Sequence, residues 1–203
     1  RDWSSDVCSS DLRISQVAWK NIVKTAGTPA EVPGNNPDEK QEAYVNGLMA
    51  FLEAAYPSEF YTTRLLEKQA DVTPVHRFLT KNVWDRSENN ALKMHAESLE
   101  SWLSRTPDAF EGFSQEEQSE VRKSVYKFIR LHRVSGTAND AIALDQLGYS
   151  SAQDVALGSS AGFVARHTKT MGPENAARIY HKASQIKALT VGVVAEFGAS
   201  SQV

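Results

Sequence analysis

The chain has 203 residues, with 22 basic and 25 acidic side chains and a formal net charge of −3. This near balance and the ordinary apolar content exclude a disordered chain and a strongly basic nucleic-acid tail. No run approaches the ~18 consecutive apolar residues of a membrane-spanning helix, and no stretch has the order of a signal peptide.

The first twelve residues, RDWSSDVCSSDL, have neither helical nor strand periodicity. They resemble the translation of a common sequencing-adapter DNA, so we interpret 1–12 as an assembly artefact; the alternative is a flexible natural N-terminus. Cys8, the only cysteine, lies here, so 13–203 predicts no disulfide, thiolate metal site or cysteine nucleophile. Without the one basic and three acidic residues of 1–12, the net charge is −1. We expect 13–203 to be a piece of a longer reading frame, so the missing signal peptide does not indicate a compartment.

Two helices are predicted at the start of the remaining chain. Residues 14–26 carry apolar side chains at helical spacing, and the proline-rich segment 28–37 predicts a loop. Residues 38–56 predict a stronger helix, with an acidic start that suits the helix dipole and a stop at Pro57. The first helix has Ile14, Val17, Ala18 and Ile22 at helical spacing, with Trp19 beside them, and the expected apolar stripe of the second is Tyr44, Leu48, Phe51, Leu52 and Ala55.

Two shorter helices follow. One is predicted over 59–69 with Ser58 as its N-cap. The other begins where Thr73 precedes Pro74, in the order of a cap and a first helical position, and ends near Asn82. The expected inner residues are Phe60, Leu65, Leu66, Val75, Phe78 and Leu79.

The middle of the chain predicts two more helices. Residues 90–104 have apolar side chains at helical spacing. Ser114 and Glu117 form the pattern of a capping box, and Gly136 ends the helix that this box begins. The expected inner residues are Ala91, Met94, Leu99, Trp102 and Leu103 in the first helix, and Val121, Val125, Phe128 and Ile129 in the second.

The stretch 144–186, LDQLGYSSAQDVALGSSAGFVARHTKTMGPENAARIYHKASQI, has the form of a helical packing module. A short helix ends at Gly148, another begins at Ser150–Ser151, and a third opens at Gly172-Pro173-Glu174 and extends toward Phe197. The predicted fold is therefore all-α, an irregular orthogonal array of about eight or nine short to medium helices without strands. We predict a helical region over 13–135 and a second module over 136–203, with the LGYSSAQDVA turn and a long C-terminal helix.

Reactive groups do not form a recognisable constellation. The five histidines are scattered, so we predict surface or interface positions rather than a metal site; they are His76, His95, His132, His167 and His181. Acidic residues fall mainly at helix starts, where they compensate the dipole. The GSSAG segment at 158–162 lacks the lysine of a phosphate loop and the surroundings of a nucleophilic serine. We predict no catalytic, cofactor-binding or metal-binding residue, no cofactor and no enzymatic activity.

Two features leave a nucleic-acid-binding alternative open. The basic run of 122–133 either is a solvated or partner-facing surface or contacts phosphate. The segment 147–156 has the outline of a helix-hairpin-helix, although only Gly148 of its two glycines is in place and Ser150 or Ser151 fits a helix cap. We expect Tyr149 to be a packing residue and expect no nucleic acid as a partner.

Three segments carry motifs in a defined order. The first is WKNIVKTAGTPAEVPG at 19–34, followed by the helix with Tyr44. The second spans 54–82 and holds the pairs Tyr56-Pro57 and Arg64-Leu65 and the set Phe78, Leu79 and Asn82. The third, within 144–186, holds LGYSSAQDVA, the pair Phe163-Val164 and GPENAARIYHKASQ.

Together these segments resemble the N-terminal region of the A component of insecticidal toxin complexes (Tc toxins), within the Salmonella virulence-plasmid A-protein-like family. The resemblance covers most of 13–197. The sequence departs from the family at 82–85, Asn-Val-Trp-Asp, where the family usually has a proline and a Phe-Asp-Leu run.

The resemblance implies a helical part of the outer shell of a very large, pore-forming toxin subunit. Such a subunit forms a pentamer around a translocation channel, works with other toxin components, and meets the host cell surface through other regions. It also implies a secreted or cell-surface-associated bacterial virulence factor without catalytic residues in this region. From the residues alone, a helical adaptor for a protein partner is a further alternative.

Overall fold

A computed structural model describes residues 13–68, 72–87 and 89–200, with side chains through 191 apart from Lys68. All regular structure in these ranges is helical, which confirms the predicted all-α class. The helices are α1 (Gln16–Ala26), α2 (Pro37–Ala55), α3 (Pro57–Lys68), α4 (Pro74–Leu79), a π-helical turn (Thr80–Trp84), α5 (Leu99–Arg105), α6 (Gln115–Ser135), α7 (Ala138–Gln146), α8 (Ala152–Val155), α9 (Ser160–Met171) and α10 (Pro173–Ser200). The segment 1–12, with Cys8, lies outside the described residues.

The chain divides into two compact units, a first unit up to Arg122 and a second unit from Lys123. The division falls inside α6, so 115–122 belong to the first unit and 123–135 to the second. The sequence placed the boundary at 135/136, where Gly136 ends α6 with a positive φ of 82°.

In the first unit, α1 packs against α2, and each helix begins at a side-chain cap. Ser15 accepts a hydrogen bond from the amide of Ala18, and Asn36 accepts one from Glu39. Of the predicted inner residues of α1 and α2, only Leu52 is buried. Trp19 and Val23 are the buried residues of α1, and Val45, Met49 and Leu52 are those of α2. Val17 is 70% exposed and Phe51 is 50% exposed. Both helices carry adjacent apolar rows, and periodicity does not decide which row meets a partner.

The prediction that Ser58 caps α3 is wrong, because α3 begins at Pro57 and includes Ser58. Pro57 has the fixed φ of a first helical position, so α3 starts directly after Tyr56, the C-cap of α2. The Ser58 hydroxyl is buried and accepts a hydrogen bond from the amide of Met94, 2.8 Å away. It therefore holds a distant loop against α3.

The predicted start of α4 is confirmed. Its end differs from the predicted end near Asn82, because the helix passes into a π-helical turn. Thr73 caps the helix with Pro74 at the first position, and His76 completes a capping box. Beyond Leu79 the chain forms the π-helical turn 80–84. This turn overlaps 82–85, where the sequence departs from the pattern of the family that it resembles.

The predicted helix over 90–104 is wrong in its first half. The chain forms turns until Ser98, which caps α5 through the amide of Ser101. Ala91, Leu92 and Met94 are nevertheless buried. Turns rather than a helix bury these apolar side chains. The amide of Leu92, for example, donates to the distant carbonyl of Asn82 and not to a carbonyl of its own helical turn.

In the second unit, α10 packs against α8 and α9. Ser151 caps α8 as predicted, α7 ends just before Gly148, and Pro173 opens α10. The sequence predicts one helix between Ser151 and Gly172, whereas the structure has two, α8 and α9. Ser159 caps the additional helix, α9, by accepting a hydrogen bond from Gly162.

Candidate functional site

The second unit contains a cluster of aromatic rings and a histidine on α9, α10 and the turn after α7. The hydroxyl of Tyr149 lies 2.7 Å from Nε2 of His167. The Phe163 ring lies 4.6 Å from the His167 ring, 5.7 Å from Tyr149 and 5.8 Å from Tyr180. Tyr180 donates its hydroxyl to the carbonyl of Gly158 at 2.6 Å. The cluster ties three elements together, and Tyr149 is the packing residue that the sequence predicts.

His167 is buried, with 3% of its surface exposed. Burial lowers the pKa of His167 below its ordinary value, and the charge of Arg166 lowers it further. His76 in the first unit is also buried, so the predicted surface or interface position is wrong for these two histidines. Each histidine lies on the inward-facing side of its helix. The scattered positions of histidines in the sequence do not indicate which side of a helix they occupy.

Hydrogen bonds already use several amides of the turn 148–154, including those of Ser150 and Asp154. Asp154 accepts hydrogen bonds from the amide and hydroxyl of Ser150, and its own amide donates to Ser151. The Ser150 hydrogen bond is the largest factor that lowers the pKa of Asp154. The Asp154 carboxylate therefore already accepts from the Ser150 amide, which a helix-hairpin-helix would offer to a phosphate, and this disfavours that alternative.

The basic run on α6 is divided between partners and solvent. Arg122 forms an ion pair with Glu100, and Lys127 forms one with Asp145. Arg130 donates its Nε to the carbonyl of Ser150 at 3.1 Å. Lys123 and Arg133 are exposed. Arg122, Lys127 and Arg130 therefore serve local structure, and the ring of His132 lies 5.4 Å from the ring of Phe128.

In the first unit, the motif residue Arg64 is buried on α3. Its guanidinium lies 2.6 Å from Glu67, contacts the sulfur of Met49 at 3.4 Å and covers the Phe60 ring at 4.8 Å. The neighbouring Leu65 is buried as well. This pair therefore packs α3 onto α2 rather than forming an exposed charge.

Asn82, also a motif residue, is fully buried at the π-helical turn. Its side-chain amide donates to the carbonyls of Phe78 and Ala109 at 2.9 and 3.2 Å. Its oxygen accepts from Nε of Arg86 at 2.8 Å. All its hydrogen-bonding groups are used for structure, a role that the sequence did not reveal.

A groove of about 520 Å³ lies between the end of α1 and the start of α2. Its polar lining includes Lys24, Thr28, Asn35, Asp38 and Gln41. The lining has no histidine, cysteine or serine.

Metal ligands do not gather in the part of the chain that the structure describes, where no three His, Cys, Asp or Glu side chains come together. Among the same residues, no helix is long and apolar enough to span a membrane. No family model, curated protein or solved structure matches the chain.

Proposed function

We propose that the chain is a structural and assembly segment of the α-helical shell of a Tc-toxin A component, a pore-forming virulence factor that translocates toxin. The observation that carries the proposal is the position of the motif residues that resemble this family. In the first unit, the buried motif residues include Trp19, Val23, Pro57, Arg64, Leu65, Phe78, Leu79 and Asn82. In the second unit they are Ala152, Val155, Ala156, Phe163, Ala176, Ile179 and Ala183.

These residues pack helices and join loops to them. In α10, Ala176, Ile179 and Ala183 are fully buried at spacings of three and four, as expected for a helix face that meets neighbours closely. A family signature composed of packing residues supports a shell role better than a catalytic one. In this proposal the chain belongs to a pentameric, secreted or cell-surface-associated subunit that works with other toxin components and reaches host cells through other regions.

The proposal makes a prediction about the exposed apolar side chains. The large ones on the described surface are Val17, Ile22, Phe51, Val72, Leu147, Leu157, Leu189 and Val191. In a shell, neighbouring chain would cover such residues. The purified chain should therefore bind a hydrophobic dye, and a sharply cooperative monomer without dye binding would count against the proposal.

The decisive experiment is long-read sequencing of the source DNA through the codons for 13–203. We expect the reading frame to continue into a many-fold longer protein with a toxin-component gene beside it. A frame that encodes only a small standalone protein would overturn the proposal, because no channel could form. The helical adaptor would then be tested by capture of a single protein partner.

A further inference from the structure

We draw no further inference here: the strongest candidate, the apolar surface patch that the exposed side chains of Leu189 and Val191 form on the C-terminal half of α10, carries nothing because nothing in the structure shows what covers it.

Discussion

The hydroxyl of Tyr149 and Nε2 of His167 lie 2.7 Å apart within the aromatic cluster of the second unit. This pair joins the turn after α7 to α9, and Phe163 packs against both rings. The neutral imidazole satisfies the hydrogen bond, whereas a charged imidazolium would be desolvated next to Arg166. The stability of this cluster therefore depends on pH below the ordinary histidine pKa of 6.5.

We predict that acidification from neutral pH destabilises the protein through His167. The folded state holds the pKa of His167 below the ordinary value of 6.5, so the unfolded chain binds this proton first as the pH falls. The contribution of neutral His167 to the free energy of unfolding is fully present above pH 6.5 and is lost as the pH falls through the folded-state pKa. One proton limits the slope to about 1.4 kcal/mol per pH unit. The measurement is the free energy of unfolding in urea between about pH 7.5 and 5.

The control for this prediction is a pair of glutamine substitutions. His167→Gln should flatten the pH dependence, and His181→Gln, at an exposed position on α10, controls for the replacement of a histidine at the surface. Burial also lowers the pKa of His95, and both variants keep that contribution. If the free energy of unfolding changes equally with pH in wild-type chain and in His167→Gln, His167 does not contribute to the pH dependence of stability.

Phe163→Ala should destabilise the protein by about 3 kcal/mol or more, because it removes a buried ring and leaves a cavity. Phe163 is 4% exposed and contacts three other rings. The matched control is Phe51→Ala, which should cost less than about 1 kcal/mol because half of that side chain is exposed. Chemical denaturation of both variants measures the difference. Similar losses of stability in the two variants would show that the exposed fraction of these rings does not determine how much they stabilise the protein.

The comparison of these two phenylalanines shows how far the sequence could predict the core. Periodicity and caps located most helices, and Ser114, Thr73 and Ser151 cap them as predicted. Periodicity placed Phe51 inside, since adjacent rows of α2 are both apolar and only the tertiary partner selects one.

The candidate site was less predictable than the helices, because its contacts join residues that are distant in sequence. Tyr149 and His167 are 18 positions apart, and Ser58 and Met94 are 36 apart. Nothing in the local sequence of Ser58 indicates a partner in a later loop. Its position before a helical pattern therefore suggested a cap instead.

Ser58→Ala should destabilise the protein by about 1–3 kcal/mol, because the amide of Met94 would lose its acceptor in a buried site. Ser104→Ala is the matched control. Its hydroxyl donates to the carbonyl of Ser101 at the surface, so water replaces the contact and the loss should stay below about 0.5 kcal/mol. Thermal or urea denaturation gives both values. A negligible loss for Ser58→Ala would mean that another group or water accepts from Met94.

Asn82→Asp should destabilise the protein at neutral pH by about 2 kcal/mol or more, although the two side chains have nearly the same shape. The asparagine amide donates to the buried carbonyls of Phe78 and Ala109, and a carboxylate would face both without a proton. The Arg86 hydrogen bond offsets only part of this loss. Because the folded state would raise the pKa of the new carboxyl group, the deficit should shrink as the pH falls from 7 toward 4. Asn90→Asp, at an exposed position, should show little loss at either pH. A deficit for Asn82→Asp that stays constant with pH would contradict this account and indicate a purely steric effect.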